Sequence, residues 1–388
     1  MRRATASIPA RRVCFVTGTR AEFGLMRSTL HAIRADPSLE LQLIVTGMHL
    51  DRRHGRSLDA IRAEGWTVDA VVPWKADRDG SSLHAAQTGL AIAKLSDAFA
   101  RLKTDIVLVV GDRVEAFAAA SAGHLSRRIV AHVHGGDRAA GEIDDSLRHA
   151  ITKLSHIHFP ATKQSADRLL RLGEDQFRIH RVGSPGIDGI VKAAASRSEL
   201  RRLFPELEPR RFLLLLLHPV EFRGDAETKR ANLVLDAIQK AGVEQIVAIY
   251  PNNDPGSDQI IGVWERRRVQ FMYLVKDTPR ATFLGLMRDA AMLVGNSSSG
   301  IIEAASFGTP VINIGDRQEG RERNANVIDV EYNGPAILRA VREIYRTGKA
   351  RTLASRNIYG SEGTGHRIAQ ILTRERNQDR LLRKIIAY

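Results

Sequence analysis

The amino-acid sequence predicts an α/β protein with two doubly wound, Rossmann-like domains facing each other across a cleft. Three observations predict it. Apolar runs such as VCFVT at 13–17, DIVLVV at 105–110 and RIVAHV at 128–133 are continuous rather than alternating, as parallel strands buried on both faces are. Segments of helical spacing separate these runs, and alternating strands and helices with right-handed crossovers build a helix-covered parallel sheet. The pattern then stops in a polar stretch at 192–210 and starts again, so one sheet does not account for the chain. With 388 residues, 43% hydrophobic and 26% charged, the chain has an ordinary globular composition and length enough for two cores.

The elements follow in order. A first strand is expected at 12–17, stopped by Gly18, with a helix over 23–35. Strands at 41–46 and 67–72 come next, then a helix-spaced segment at 83–102. Strand 105–110 is stopped by Gly111, and strand 129–133 by Gly135 and Gly136. A helix at 144–155 and a strand at 157–159 complete a first domain, 13–192. Strand 212–217 and helix 226–240 open a second domain, 205–360, with strands at 246–250, 270–274, 291–294 and 310–314. Residues 361–388 form an amphipathic, helical C-terminal segment that crosses back to the first domain, and residues 1–12 a flexible tail.

Composition excludes several classes. The single cysteine, Cys14, leaves no intramolecular disulfide and no cysteine-based zinc site. The longest apolar run, 212–217, is too short to cross a bilayer, and the N-terminal segment lacks the apolar core of a secretory signal. We therefore expect a cytoplasmic protein without a membrane partner. The net charge is +14, but the basic residues are spread along the chain and aromatics make up only 5%, so no base-stacking surface stands out and no nucleic-acid partner is expected.

In doubly wound folds, ligands sit at the carboxyl ends of the strands. Five motifs fall there. Gly18-Thr19-Arg20-Ala21-Glu22-Phe23-Gly24 follows the first strand, where backbone N–H groups and Arg20 can hold an anion, although the dinucleotide pattern G-x-G-x-x-G is absent. Gly111-Asp112-Arg113-Val114-Glu115 puts a carboxylate beside an arginine, either a structural ion pair or an acid/base. His132-Val133-His134-Gly135-Gly136-Asp137 is followed by Asp144, Asp145 and His149. There an acid/base cluster is preferred over a metal site, and at least one aspartate is open to helix capping. His218 ends the FLLLLL strand. Gly295-Asn296-Ser297-Ser298-Ser299-Gly300, opening a helix to Phe307 that carries Glu303, reads as a diphosphate cradle. Arg317, Arg321 and Arg323 follow as counter-charges, with a solvated loop as the plainer alternative.

Taken together, TGTRAEFG, IVTGMHLD, GDRVEAF, HVHGGDR, IDDSLRHAITKLSHIHF and GNSSSGIIEAASFGTPVINIGDRQEGR resemble the UDP-N-acetylglucosamine 2-epimerase family, most of all its hydrolysing, sialic-acid-pathway branch. The resemblance runs from about residue 12 to residue 329. It implies the GT-B architecture, and chemistry that uses no metal and no nicotinamide cofactor. The family's catalytic carboxylates match Asp112, Asp137 and Asp144, and its active-site histidine matches His218. Its nucleotide-binding residues match Arg20, Phe283 on the uracil side, Ser297, Ser298, Glu303 and Arg321. This chain departs from the pattern at Asp137 and Asp145, where the family usually carries glutamate, so each side chain reaches one methylene less.

The chemistry explains why such groups are needed. The C2 proton of an N-acetylhexosamine becomes acidic only as the C1–O bond to the nucleotide breaks, so the enzyme must stabilise the leaving diphosphate. Inverting C2 removes a proton from one face and returns one to the other, which takes two acid/base groups. The implied reaction is anti elimination of UDP to a 2-acetamidoglucal, then addition of water to give N-acetylmannosamine. Asp112 and Asp144 handle the C2 proton, Asp137 assists water addition and His218 aids the leaving phosphate. The same motifs fit a 2,4-diacetamido-2,4,6-trideoxyglucose donor or a GDP-activated one. A non-hydrolysing epimerase, a GT-B glycosyltransferase and an arginine-driven nucleic-acid binder are the rivals. The resemblance also implies a homodimer or homotetramer.

Overall fold

The computed structural model describes residues 9–50, 57–74, 83–138, 143–221, 225–251, 256–267, 272–276, 278–347, 357–375 and 378–387. Residues 1–8 of the expected tail, Asp51 and the start of the expected 270–274 strand lie outside these described residues.

The chain forms two compact units, Met1–Asp188 with Tyr359–Tyr388, and Gly189–Ile358. The first contains β1 (Arg11–Thr17), β2 (Leu39–Thr46), β3 (Ala70–Val72), β4 (Ile106–Val110), β5 (Ile129–Val133) and β6 (Ile157–Phe159). All six are parallel, in the order β3-β2-β1-β4-β5-β6. The second contains β7 (Phe212–Leu216), β8 (Gln245–Ile249), β9 (Met272–Val275), β10 (Met292–Gly295), β11 (Val311–Ile314) and β12 (Val327–Val330). It repeats the same order as β12-β11-β10-β7-β8-β9, again all parallel.

Each sheet therefore reverses direction between its first and fourth strands, at β1/β4 and at β7/β10. Crevices for ligands open at such switch points. The continuous apolar runs have a direct cause. Val13 and Phe15 of β1 enter one core, and Cys14 and Val16 enter the core on the opposite face. Likewise Leu213 and Leu215 of β7 face one core, and Leu214 and Leu216 the other.

The structure differs from expectation in four places. The polar stretch 192–210, outside the expected domains up to residue 205, holds the helix Arg197–Leu203, started by a Ser196/Glu199 capping box, and Leu200 and Phe204 enter a core of the second unit. The strand β12 was not expected, because it is a short edge strand that stays partly exposed. The helix after Ser297 ends at Ile302 and continues as a 3₁₀ turn, Ala304–Phe307. The C-terminal segment is a helix at Thr364–Arg374, a short one at Gln378–Leu382, and then extended chain.

That segment belongs to the first unit by close contact. The helix Thr364–Arg374 lies on the helix Arg20–Ala35, and a Cβ at Gly365 would stand 2.5 Å from the Ser28 backbone. The buried Arg178 guanidinium donates to the carbonyls of Leu381, Arg380 and Arg383. Lys384 Nζ donates to the carbonyls of Thr152, Lys153 and Ser155, at the C-terminal end of the helix Asp144–Leu154.

Candidate active site

In the first unit the switch point is lined by carboxylates. After β1, Thr19 caps the helix Arg20–Ala35 through a capping box. The Glu22 carboxylate accepts from Gly18 N at 2.8 Å and from Thr19 N at 3.0 Å. Two N–H groups expected to be open to an anion are thus already bound to the chain's own carboxylate. Arg20, the first residue of that helix, is exposed. Glu115 is buried beside Gly18 and Gly47, where any Cβ would come within 2.5 Å of it, and it pairs with Arg113 at 3.3 Å. Burial first, and the Glu115 charge second, push the Glu22 carboxyl up to about 7, against the pull of Arg113.

After β4, Asp112 is bound by the buried Arg148 guanidinium, which also donates to the His134 carbonyl at 3.4 Å. Arg148 stands on the helix Asp144–Leu154, one turn beyond Asp144. Beneath them, His132 Nε2 donates to the Gly111 carbonyl at 2.8 Å, and burial lowers this imidazole to about 3, so it stays neutral at ordinary pH. Asp137 is only 5% exposed. Its Oδ2 accepts from His134 Nδ1 at 2.7 Å and its Oδ1 from Ser165 Oγ at 2.7 Å, while His134 Nε2 lies 2.9 Å from Ser184 Oγ.

Neither Asp144 nor Asp145 caps its helix through a side chain. Ile143 is the N-cap, and the two aspartates sit in the first turn, where the helix dipole favours negative charge. Asp144 is exposed, and Asp145 lies 3.4 Å from His149 Nε2. The H-x-H strand does not gather ligands either. Among the described residues no group of three or more histidine, cysteine, aspartate or glutamate side chains is placed to hold a metal ion. No helix among them is long and apolar enough to cross a membrane.

The second unit's switch point carries an imidazole, an amide and hydroxyls at its strand ends, with the Arg317 guanidinium beside them. His218 lies two residues past β7, with Nδ1 buried and unpartnered. Burial, and then the Arg317 charge, lower it to about 3. Across from it β10 ends at Gly295, whose φ is +143 and whose Cβ would stand 1.9 Å from Leu216 O. Only glycine fits there. The buried Asn296 follows and bonds to the His218 backbone. Ser297 caps the short helix Ser298–Ile302 by position rather than by a side-chain bond, and its Oγ lies 2.9 Å from Ser299 Oγ. Ser297 and Ser298 are both half-buried.

Glu303 is held by both arms of Arg280, at 2.6 and 3.1 Å, and that guanidinium lies 5.8 Å from the centre of the Phe283 ring. Of the three arginines expected as counter-charges, two are tied into the fold: Arg317 to the Asn296 carbonyl and Arg323 to Asp329. Arg321 differs, because its Nε is buried without a partner. A buried donor left unsatisfied costs free energy that an incoming acceptor restores.

Arg148, Asn296, Glu22 and Arg280 hold the candidate residues in place, and the sequence assigned them no part of their own. For Arg148 and Glu22 a signal existed. The four-residue step from Asp144 puts Arg148 on the same helix face, and Thr19-x-x-Glu22 is a capping-box pattern.

Fold and site together define a class: a two-domain α/β protein of GT-B-like architecture with carboxylates at one switch point and an imidazole, an amide and hydroxyls at the other. The family model for UDP-N-acetylglucosamine 2-epimerase matches residues 31–373, and the chain belongs to that family. It is 36% identical to a hydrolysing UDP-N,N'-diacetylbacillosamine 2-epimerase of Legionella pneumophila, over 97% of this chain and all of that one. It is 34% identical to a UDP-N-acetylglucosamine 2-epimerase of Neisseria meningitidis, over 87% of this chain and 89% of the relative. The fold is shared with the solved UDP-GlcNAc 2-epimerase of Neisseria meningitidis bound to UDP-GlcNAc, with a TM-score of 0.81 at 20% identity, covering 93% of this chain and 99% of that one.

Proposed function

We propose that the protein is a hydrolysing 2-epimerase that converts a UDP-activated 2-acetamido sugar and water into UDP and the free 2-epimeric sugar. The C2 proton passes to a carboxylate as the C1–O bond breaks and its electrons leave on the β-phosphate. Water then adds to C1 of the 2-acetamidoglucal, and a proton returns to C2 on the opposite face. Asp112 and Asp144 serve the C2 proton. His218, a neutral imidazole before substrate arrives, donates a hydrogen bond to the departing phosphate. Both Asp137 oxygens are engaged inside the unit, so its part is orienting: it fixes His134, whose carbonyl braces Arg148, which directs Asp112. Ser297, Ser298 and Arg321 take the diphosphate, Glu303 the ribose, Phe283 the uracil, and Arg20 adds counter-charge.

The observation that carries this reading is the Asp112–Arg148 pair at the mouth of β4: a carboxylate aimed by a buried guanidinium one helical turn from a second, exposed carboxylate. Among donors, UDP-N,N'-diacetylbacillosamine stands first, supported by the Legionella relative that matches end to end, and UDP-N-acetylglucosamine second. The test is a panel of UDP- and GDP-linked donors turned over in D₂O, with products identified by NMR. We expect UDP release without an acceptor and a 2-epimeric free sugar carrying deuterium at C2. A product without deuterium at C2 overturns the elimination route, and UDP release that needs an acceptor favours a glycosyltransferase. Light scattering of the same sample reads the homo-oligomer that the family resemblance implies.

A further inference from the structure

Deepening the reading of His218 as the group at the leaving phosphate, on which it rests, we infer that Asn296 is the positioning residue of His218. The β7–β10 ladder ends with Leu216 opposite Gly295, and Asn296 N adds a last backbone bond to Leu216 O at 3.0 Å. At that point β10 turns away toward the Ser298–Ile302 helix, and Gly295 makes the turn. The Asn296 side chain takes over where the backbone leaves. Its Oδ1 accepts from His218 N at 2.7 Å, and its Nδ2 donates to His218 O at 2.8 Å.

A primary amide carries the same acceptor and donor as a peptide unit, so it continues the parallel ladder two residues beyond its end. The two bonds also fix which amide atom is oxygen, since a backbone N–H only donates and a carbonyl only accepts. The second Nδ2 hydrogen goes to Tyr332 Oη at 3.2 Å. Asn296 is fully buried, and both amide hydrogens are spent, so it acts through His218 rather than on substrate.

The neighbourhood makes this brace necessary. Pro219 follows His218 and has no N–H to anchor the chain. The next anchors are Val220 N and Glu221 N, which both donate to the buried Glu227 at 2.9 Å. Between Leu216 and Val220, Asn296 sets both polar groups of the His218 backbone and hence the origin from which the imidazole projects. Its own carbonyl accepts from Arg317 Nη1 at 3.1 Å and Gln318 Nε2 at 3.0 Å, so the loop leading to Arg321 is referenced to the same residue. The expected consequence is a shared frame for the histidine and the phosphate-side arginine.

The experiment compares wild type with Asn296→Asp, which keeps the shape and the acceptor but loses both donors, and with Asn296→Ala. Three quantities are read: kcat and KM on the donor the panel selects, UDP affinity by calorimetry, and the His218 ring signals in selectively labelled protein. We expect kcat to fall about 100-fold in both variants, the scale of an ångström-sized displacement of a catalytic group. KM and UDP affinity stay within about threefold, well under that displacement cost, and the His218 signal shifts. Unchanged kcat with an unmoved His218 signal overturns the inference. So does a loss of UDP affinity as large as the loss of kcat with His218 unmoved, which makes Asn296 a structural residue of the phosphate loop. If both variants unfold, Tyr332→Phe, which removes only the far anchor of the amide, is read the same way: a severalfold drop in kcat with a shifted His218 signal supports the inference, and neither change overturns it. If wild type turns over no donor, the functional reading fails. The His218 signal in Asn296→Asp still decides the positioning.

Discussion

The two units wind their strands in one order, yet their switch points hold opposite chemistries. At β1/β4 the side chains are ionic: Glu115 pairs with Arg113 beside Glu22, and Asp112 pairs with Arg148. At β7/β10 the groups nearest the strand ends are an amide, hydroxyls and an imidazole. Topology decides where a ligand can sit, and the residues after the strand decide what is done to it. In the first unit the charged groups are held by other charges. In the second unit the amide, hydroxyls and imidazole stand beside Arg317 and the partnerless Nε of Arg321.

The largest expected effect breaks this division of labour outright. Asp112→Asn should lower kcat by about 1000-fold, within the range for loss of a general base, and leave UDP affinity at the wild-type value. Steady-state UDP release and calorimetry check it. A parallel loss of UDP affinity would show that the first unit also holds the nucleotide. Ser298→Ala, on the other side, should do the reverse at smaller scale. Losing one hydrogen bond to a charged phosphate costs about 1.5–3 kcal/mol, so UDP should bind about tenfold to a hundredfold more weakly while the fold's melting temperature holds.

A subtler contrast lies in the histidines. Of 13 in the chain, all but His218 lie in the first unit. Burial lowers His132 and His156 to about 3, and His49 and His158 to about 4, from an ordinary value of 6.5. Unfolded, these imidazoles protonate near 6.5; folded, they resist until the pH is far lower. The unfolded chain therefore binds more protons across that window, so stability is intact above 6.5 and declines as the pH falls toward 4. The first unit should melt earlier than the second on acidification. Calorimetry between pH 7 and 4.5 should show one transition sliding downward ahead of the other. Two transitions moving together would remove the asymmetry.

The amino-acid sequence alone carries much of this. The apolar runs mark nearly every strand, because the central strands feed cores on both faces and so show no alternation to confuse their length. β12 escaped because an edge strand of four partly exposed residues carries little of that signal. The motifs at the strand ends located the site residues, but not their partners. Arg148 meets Asp112 across 36 positions of sequence, and Asn296 meets His218 across 78. Such pairings exist only once folding brings a strand end beside another strand end, as for Asn296, or beside a neighbouring helix, as for Arg148. The turn after β1 misled for a different reason: a helix start offers N–H groups to any anion, and here the nearest is Glu22, three residues along the same chain.

The last stretch of chain has a consequence for how the molecule is made. The helix bearing Asp144 and Arg148 has its far carbonyls closed by Lys384, and Arg178 is satisfied by carbonyls of residues 380–383. During synthesis, residues 380–384 follow the whole of the unit formed by Gly189–Ile358. The first unit is begun before the second yet closed after it, so the helix bearing Asp144 and Arg148 gains its last partners only once the second unit has been made.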